Sequence, residues 1–152
     1  MGLKADKLIQ EITDVFAGVK LGVGVGLREA QGIDAYDTEE VCAAKREGDE
    51  KEDWSKISSN DLNECNSSLS FFDSLGLRFH LPAYMIAELR GEYNHGLSFC
   101  FTYLKEHSRK RFDFLSPAQR GIIRKFLIFL RDHPDYEFSR DEITRALDNY
   151  WK

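Results

Sequence analysis

Ser70-Phe71-Phe72-Asp73-Ser74-Leu75-Gly76-Leu77-Arg78-Phe79-His80-Leu81-Pro82-Ala83-Tyr84-Met85 decides the fold class, because its first half reads two ways. Asp at the first and Gly at the fourth position of Asp73-Ser74-Leu75-Gly76 fit a type I turn, which gives a small β-hairpin between 69–72 and 77–81. The alternation of Leu75, Leu77, Phe79 and Leu81 supports strand. Asp73 equally caps a short helix over 74–80. Pro82 then starts a further helix through about Arg90, at a first-turn position where its missing N–H costs little. The neighbouring segments are helical, so the stretch is assigned to helix, with a hairpin near residues 69–81 as the alternative.

Outward from this stretch the periodicity is helical on both sides. Upstream, Leu62, Cys65, Leu69 and Phe72 recur at helical intervals. Asp37 is placed as an N-cap, with Glu40 as box partner and Tyr36 stapled onto Val41, for a helix to about Glu47. Gly48 to Asp53 reads as a charged, mobile loop before Trp54. In Lys20–Leu27 apolar residues alternate with Gly or Lys, as in a short extended segment weakened by its glycines. Residues 4–17 form an amphipathic helix with Leu8, Ile12, Val15 and Phe16 inward. Downstream, Leu97, Phe101 and Leu104 mark one helix ending near His107. Ser116-Pro117-Ala118-Gln119 is a capping box with Pro at the first helical position, and Pro134 closes the apolar helix that follows. Ser139, with Glu142 and a Phe138–Ile143 staple, is placed as the cap of the last helix. The sum is mainly α: a single helical domain over 1–152 with about six helices.

Composition narrows the class. The chain has 152 residues, 42% hydrophobic and 31% charged, with a net charge of −5. That size suits one domain, and the acidic balance argues against a duplex-DNA binder. No run of 18 uncharged apolar residues exists, so no membrane partner is expected. Asp6, Gln10 and Glu11 interrupt the start too early for an apolar signal core. Cys42, Cys65 and Cys100 are an odd, widely spaced set, expected to be reduced and buried. A cytoplasmic location follows as the expectation.

The 70–85 stretch also resembles a family of small bacterial proteins of unknown function. Their hallmark is an apolar-Phe-Leu-Asp-x-x-Gly-x-Arg-Phe-x-Leu-Pro-Ala-Tyr-Met core preceded by Asp-Glu-x-x-x-Trp, and Asp49-Glu50-Lys51-Glu52-Asp53-Trp54 fits the preceding motif. Leu27-Arg28-Glu29-Ala30 with Asp34 fits too, as does Ser116-Pro117-Ala118-Gln119. The resemblance covers most of 8–132. It implies a bacterial, largely helical domain, and it supplies no activity from which catalytic residues carry over.

No complete chemical motif is present. Gly22-x-Gly24-x-Gly26 has Leu27 where a dinucleotide fingerprint needs its third glycine, and no P-loop Lys-Ser/Thr follows. Cys100 and His107, seven apart, share a helix face but bring no further ligands of the kind zinc requires, so no metal or cofactor is expected. Cys100 is expected to be buried and inert. Arg78 and His80, with Tyr84 and Glu88 one and two turns on, form a candidate anion or ligand site. The structural alternative is a salt bridge from Arg78 to Asp73 that holds the turn.

Charge is uneven along the chain. Residues 34–53 carry nine acids against three bases, and residues 78–125 carry nine bases against four acids. An acidic pole steers a basic partner. The leading expectation is therefore a non-enzymatic protein-binding module, immunity-protein-like or regulatory. Its acidic segment (Asp37, Glu39, Glu40, Asp49, Glu50, Asp53) would occlude a basic site on a toxin or enzyme. The alternatives are a small ligand-binding domain or enzyme at Arg78, His80, Tyr84 and Glu88, and single-stranded nucleic-acid binding through the basic cluster at 105–125. Nucleic acid is the least favoured of these partners.

Overall fold

The computed structural model describes residues 2–152, and among them there is no strand. Nine α-helices and three 3-10 turns make up the ordered elements of the described residues. The helices are α1 (Leu3–Val15), α2 (Leu27–Asp34), α3 (Glu39–Gly48), α4 (Ser59–Glu64), α5 (Ser74–Leu89), α6 (Ser98–Thr102), α7 (Glu106–Lys110), α8 (Pro117–Asp132) and α9 (Arg140–Asn149).

The ambiguous stretch is helix from Ser74 onward, and the hairpin alternative is excluded. Asp73 caps α5: its Oδ1 accepts from the Gly76 N–H at 2.8 Å and from the Val25 N–H at 3.0 Å. The strand-like alternation has a physical cause. Thirteen of the sixteen α5 residues are buried, so the helix is apolar all round and shows no clean 3.6-residue stripe. Pro82 does not start a helix; it sits inside α5, where it withholds the N–H that the Arg78 carbonyl would have received. At Gly76 the backbone passes so close that a Cβ would lie 2.5 Å from the Val25 carbonyl oxygen. No other residue fits there without displacing that loop.

Around α5 the other helices form a shell. α1 packs on α5 and α8, α8 on α9, and α6 on α9. One continuous core results, running from Leu8, Ile12 and Phe16 of the N-terminal region through α5 to Ile122, Phe126 and Leu130 of α8. At the far end Trp151 is wedged among Phe101, Phe112 and Tyr150, with ring centroids 5.9, 4.9 and 4.9 Å away.

The bundle has more and shorter helices than the expected six, for local reasons. The expected 97–107 helix is split because Tyr103 is extended (ψ 92°), leaving α6 and α7. The 62–72 periodicity is shared between α4 and a 3-10 turn, Asn66–Ser70. Thr38, not Asp37, caps α3, accepting from the Val41 N–H at 3.2 Å. The displacement follows from Tyr36, which takes a left-handed turn (φ 58°) and so cannot staple onto Val41. Ser139 makes no cap bond, because a 3-10 turn runs directly into α9, and Phe138 projects into solvent. The Lys20–Leu27 segment is a series of turns through Gly22 (φ 58°), not a strand. The Ser116 capping box stands as read, with both reciprocal bonds to Gln119.

Candidate functional site

Arg78, His80, Tyr84 and Glu88 do not converge. His80 is fully enclosed; its Nδ1 meets the Gly76 carbonyl at 2.6 Å and its ring stacks on Phe72 at 4.3 Å. Its Nε2 is buried without a partner. Burial pulls its pKa down to about 4, so the ring is neutral. Tyr84 donates to the Cys65 carbonyl at 3.0 Å, and burial pushes its phenol up. Glu88 accepts from the Leu97 N–H at 2.8 Å and closes the turn after α5; burial raises its carboxyl above the usual range. Arg78 reaches the Phe114 carbonyl at 3.5 Å and makes no ion pair with Asp73, whose carboxylate is already committed to Gly76 and Val25. These four side chains each hold a different piece of backbone.

The acidic segment divides in two. Asp49 is turned inward and accepts from the Arg28 N–H at 2.8 Å and the Glu29 N–H at 3.1 Å, capping the start of α2 from a distance. Glu50 accepts from the Glu52 and Asp53 N–H groups, and Asp53 from Ser55. Lys51 donates to the Glu47 and Asp49 carbonyls. Residues 49–55 are thus a tied turn rather than the mobile loop expected, and Trp54 anchors it through Nε1 to the Phe16 carbonyl at 2.9 Å. Asp37 pairs with Lys45 at 2.6 Å. What remains free is the outer side of α3. Glu39, Glu40 and Glu47 are exposed and have no ion-pair partner among the described residues.

Replacing Asp49 by alanine leaves two α2 N–H groups uncapped and the Arg28–Asp61 and Arg28–Glu64 pairs without their anchor. The expected loss is about 1–2 kcal/mol of unfolding free energy in a urea titration; an unchanged midpoint would remove the capping role.

Most of the basic cluster is internally engaged. Arg120 lies over the Tyr150 and Trp151 rings at 4.8 and 5.0 Å, Arg124 donates to the Trp151 carbonyl at 2.6 Å, and Lys125 pairs with Glu11 at 2.8 Å. Lys110 faces Glu106 at 3.7 Å. Arg109 donates to the Leu104 carbonyl and Arg111 to that of Leu69. These cations clamp backbone carbonyls and rings more than they form a continuous phosphate track.

Two concavities adjoin these clusters. One, of about 890 Å³, lies between α2 and α3 and is bordered by Ile33, Tyr36, Cys42, Ala43, Arg46 and Glu47. The second, of about 660 Å³, gathers Tyr93, His95, Phe99, Cys100, Tyr103, His107 and Arg111. Cys100 and His107 border the same cavity from two helices, α6 and α7, not from the single helix face that their spacing suggested. The aromatic wall was not legible in the sequence, although Phe99 and Tyr103, four apart, carried its signal. Burial pushes the Cys100 thiol up to about 11, so it is not a thiolate nucleophile. Among the described residues no group of three or more His, Cys, Asp or Glu side chains is placed to hold a metal ion. No helix of the described chain is long and apolar enough to cross a membrane.

The fold and these surfaces define an all-helical domain whose central motif works as scaffold. Asp73 ties the Val25 backbone to the start of α5, Asp49 holds the start of α2, and Trp54 holds the end of α1. The chain belongs to a family of unknown function (DUF6714), whose family model matches residues 4–152. Comparison with curated proteins and with solved structures returns no match.

Proposed function

We propose that this protein is a non-enzymatic protein-binding module that presents α3 to a basic partner and works by occluding the partner's basic site. One observation carries the reading: α3 buries none of its ten residues, packs chiefly on α2, and turns Glu39, Glu40 and Glu47 outward without an ion pair among the described residues. A helix held on one side only is a presented surface. Its charge selects a basic partner and raises the association rate more than the affinity. The groove beside it, with Tyr36 95% exposed, offers an apolar seat next to the carboxylates. An immunity protein acting on a basic toxin or enzyme works in this way. The inward and locally bonded positions of Asp49, Glu50 and Asp53 move the contact surface from the whole 34–53 segment to the outer face of α3.

The test is a low-salt pull-down of bacterial basic proteins with wild type and with the Glu39→Lys/Glu40→Lys/Glu47→Lys variant. Lysines at 39 and 40 also oppose the dipole at the start of α3, so a Glu39→Gln/Glu40→Gln/Glu47→Gln variant with helicity checked by circular dichroism accompanies it. A partner held by wild type and lost by the variants, with association falling about tenfold or more and steeply with salt, is the expected result. Equal retention of every partner by wild type and both variants refutes the reading.

A further inference from the structure

We propose that the open cavity bordered by the 90–97 turn, α6, α7 and the Asn66–Ser70 turn is a binding site for a small aromatic anion, a flat ring that carries a phosphate. The volume, about 660 Å³, is that of a small-ligand site. Its wall has two chemistries. Phe99 and Tyr103 stack on each other, with centroids 5.1 Å apart, yet stay 66% and 40% exposed. Tyr93 and His95 meet edge to face at 5.7 Å on the same cavity. An exposed stack of this kind retains a free π-face for a further ring.

The second chemistry is cationic. Arg111 faces the cavity with its guanidinium fixed by one bond, Nη1 to the Leu69 carbonyl at 2.6 Å. It has no carboxylate partner among the described residues, and its other N–H groups make no bond to the protein. His95 and His107 line the same cavity. No Asp or Glu lines the cavity: Glu106 faces Lys110, and Glu88 is bonded to Leu97. An oriented arginine fork beside a free aromatic face recognises an oxyanion attached to a ring, and it disfavours a cation or a neutral sugar. This site is separate from α3, so it stands or falls independently of the protein-binding reading.

Isothermal titration with adenosine monophosphate and with phenyl phosphate tests it, alongside adenosine and inorganic phosphate as half-probes. At least one ring-bearing phosphate is expected to bind saturably in the millimolar range or tighter, and each half-probe about tenfold more weakly or worse. Tighter binding of the nucleotide assigns the source as a nucleotide; tighter binding of phenyl phosphate assigns a simple aromatic phosphate. Arg111→Gln and Phe99→Ala are each expected to weaken the complex about tenfold. Phe99→Ala removes an exposed ring, so it keeps the test open if Arg111→Gln loosens the Leu69 contact. Absence of saturable binding by both ring-bearing probes overturns the proposal. So does inorganic phosphate binding as tightly as they do, or affinity that survives both substitutions.

Discussion

Trp151→Ala is expected to remove about 3–5 kcal/mol of unfolding free energy, the range for emptying a buried tryptophan site. Trp151 is 2% exposed although no helix follows it. Its ring fills the gap among Phe101, Phe112 and Tyr150, and its Nε1 donates to the Phe101 carbonyl at 2.9 Å. Its own carbonyl accepts from Arg124, and Arg120 lies over the ring. Truncation therefore opens a cavity, leaves the Phe101 carbonyl without its indole donor and takes away one of the two rings under Arg120, while the Arg124 bond to the residue-151 backbone remains. Against a typical total of about 5–15 kcal/mol, the loss is a large share of the whole. Urea titration followed by circular dichroism measures it. Trp151→Phe keeps an aromatic plug and loses only the donor and part of the volume, so its midpoint lies between the two. Equal midpoints for wild type and Trp151→Ala would show that this residue closes nothing.

Acidification is expected to weaken the fold well above the usual carboxylate range, and His80 is the cause. Its folded pKa is lowered to about 4, from an ordinary value of 6.5. Burial dominates, opposed by the Gly76 carbonyl and the Asp73 charge. The unfolded chain binds the proton below about 6.5 and the folded chain only near 4, so stability rises with pH across that window. Between pH 6.5 and 4.5 the contribution amounts to about 2–3 kcal/mol, at about 1.4 kcal/mol per unit. Glu88 acts with the opposite sign. Its raised pKa favours the fold at low pH, a gain lost as pH rises above the unfolded carboxylate value. Comparing wild type with His80→Leu at several pH values cancels the Glu88 part, because both proteins carry it. The variant is expected to be less stable at pH 7.5 through loss of the Gly76 contact and the Phe72 stack, yet to lose less on going to pH 4.5. Parallel pH profiles for the two proteins would show that His80 is solvated and titrates normally.

The readings that succeeded rested on neighbours in the chain. The Ser116–Gln119 box, the apolar face of α8 and the Leu8-Ile12-Phe16 stripe of α1 are set by contacts within a turn or two. Asp73 belongs to the same group, since its bond to Gly76 is local. Thr38 and the break at Tyr103 were hidden for the converse reason. A left-handed Tyr36 and an extended Tyr103 are backbone states that no residue type there announces.

The candidate site was less legible. Residue types on 34–53 marked an acidic pole, and local spacing put Glu39 and Glu40 at the start of a helix. Nothing in that spacing distinguishes Glu39, left in water, from Asp49, which reaches across the chain to the start of α2. Arg78, His80, Tyr84 and Glu88 look like one cluster along a helix written on paper. The helix is buried on every side, so each meets a different neighbour.

Helical class, the starts of α5 and α8 and the sign of each surface region follow from short-range geometry and composition, which any folded arrangement of this chain must respect. Which carboxylates face water, which arginines are spent on carbonyls, and that Phe99, Tyr103 and Arg111 border one cavity depend on contacts between residues far apart in the chain. Those contacts exist only once α5 is enclosed, because its burial dictates which faces of the surrounding helices are left over.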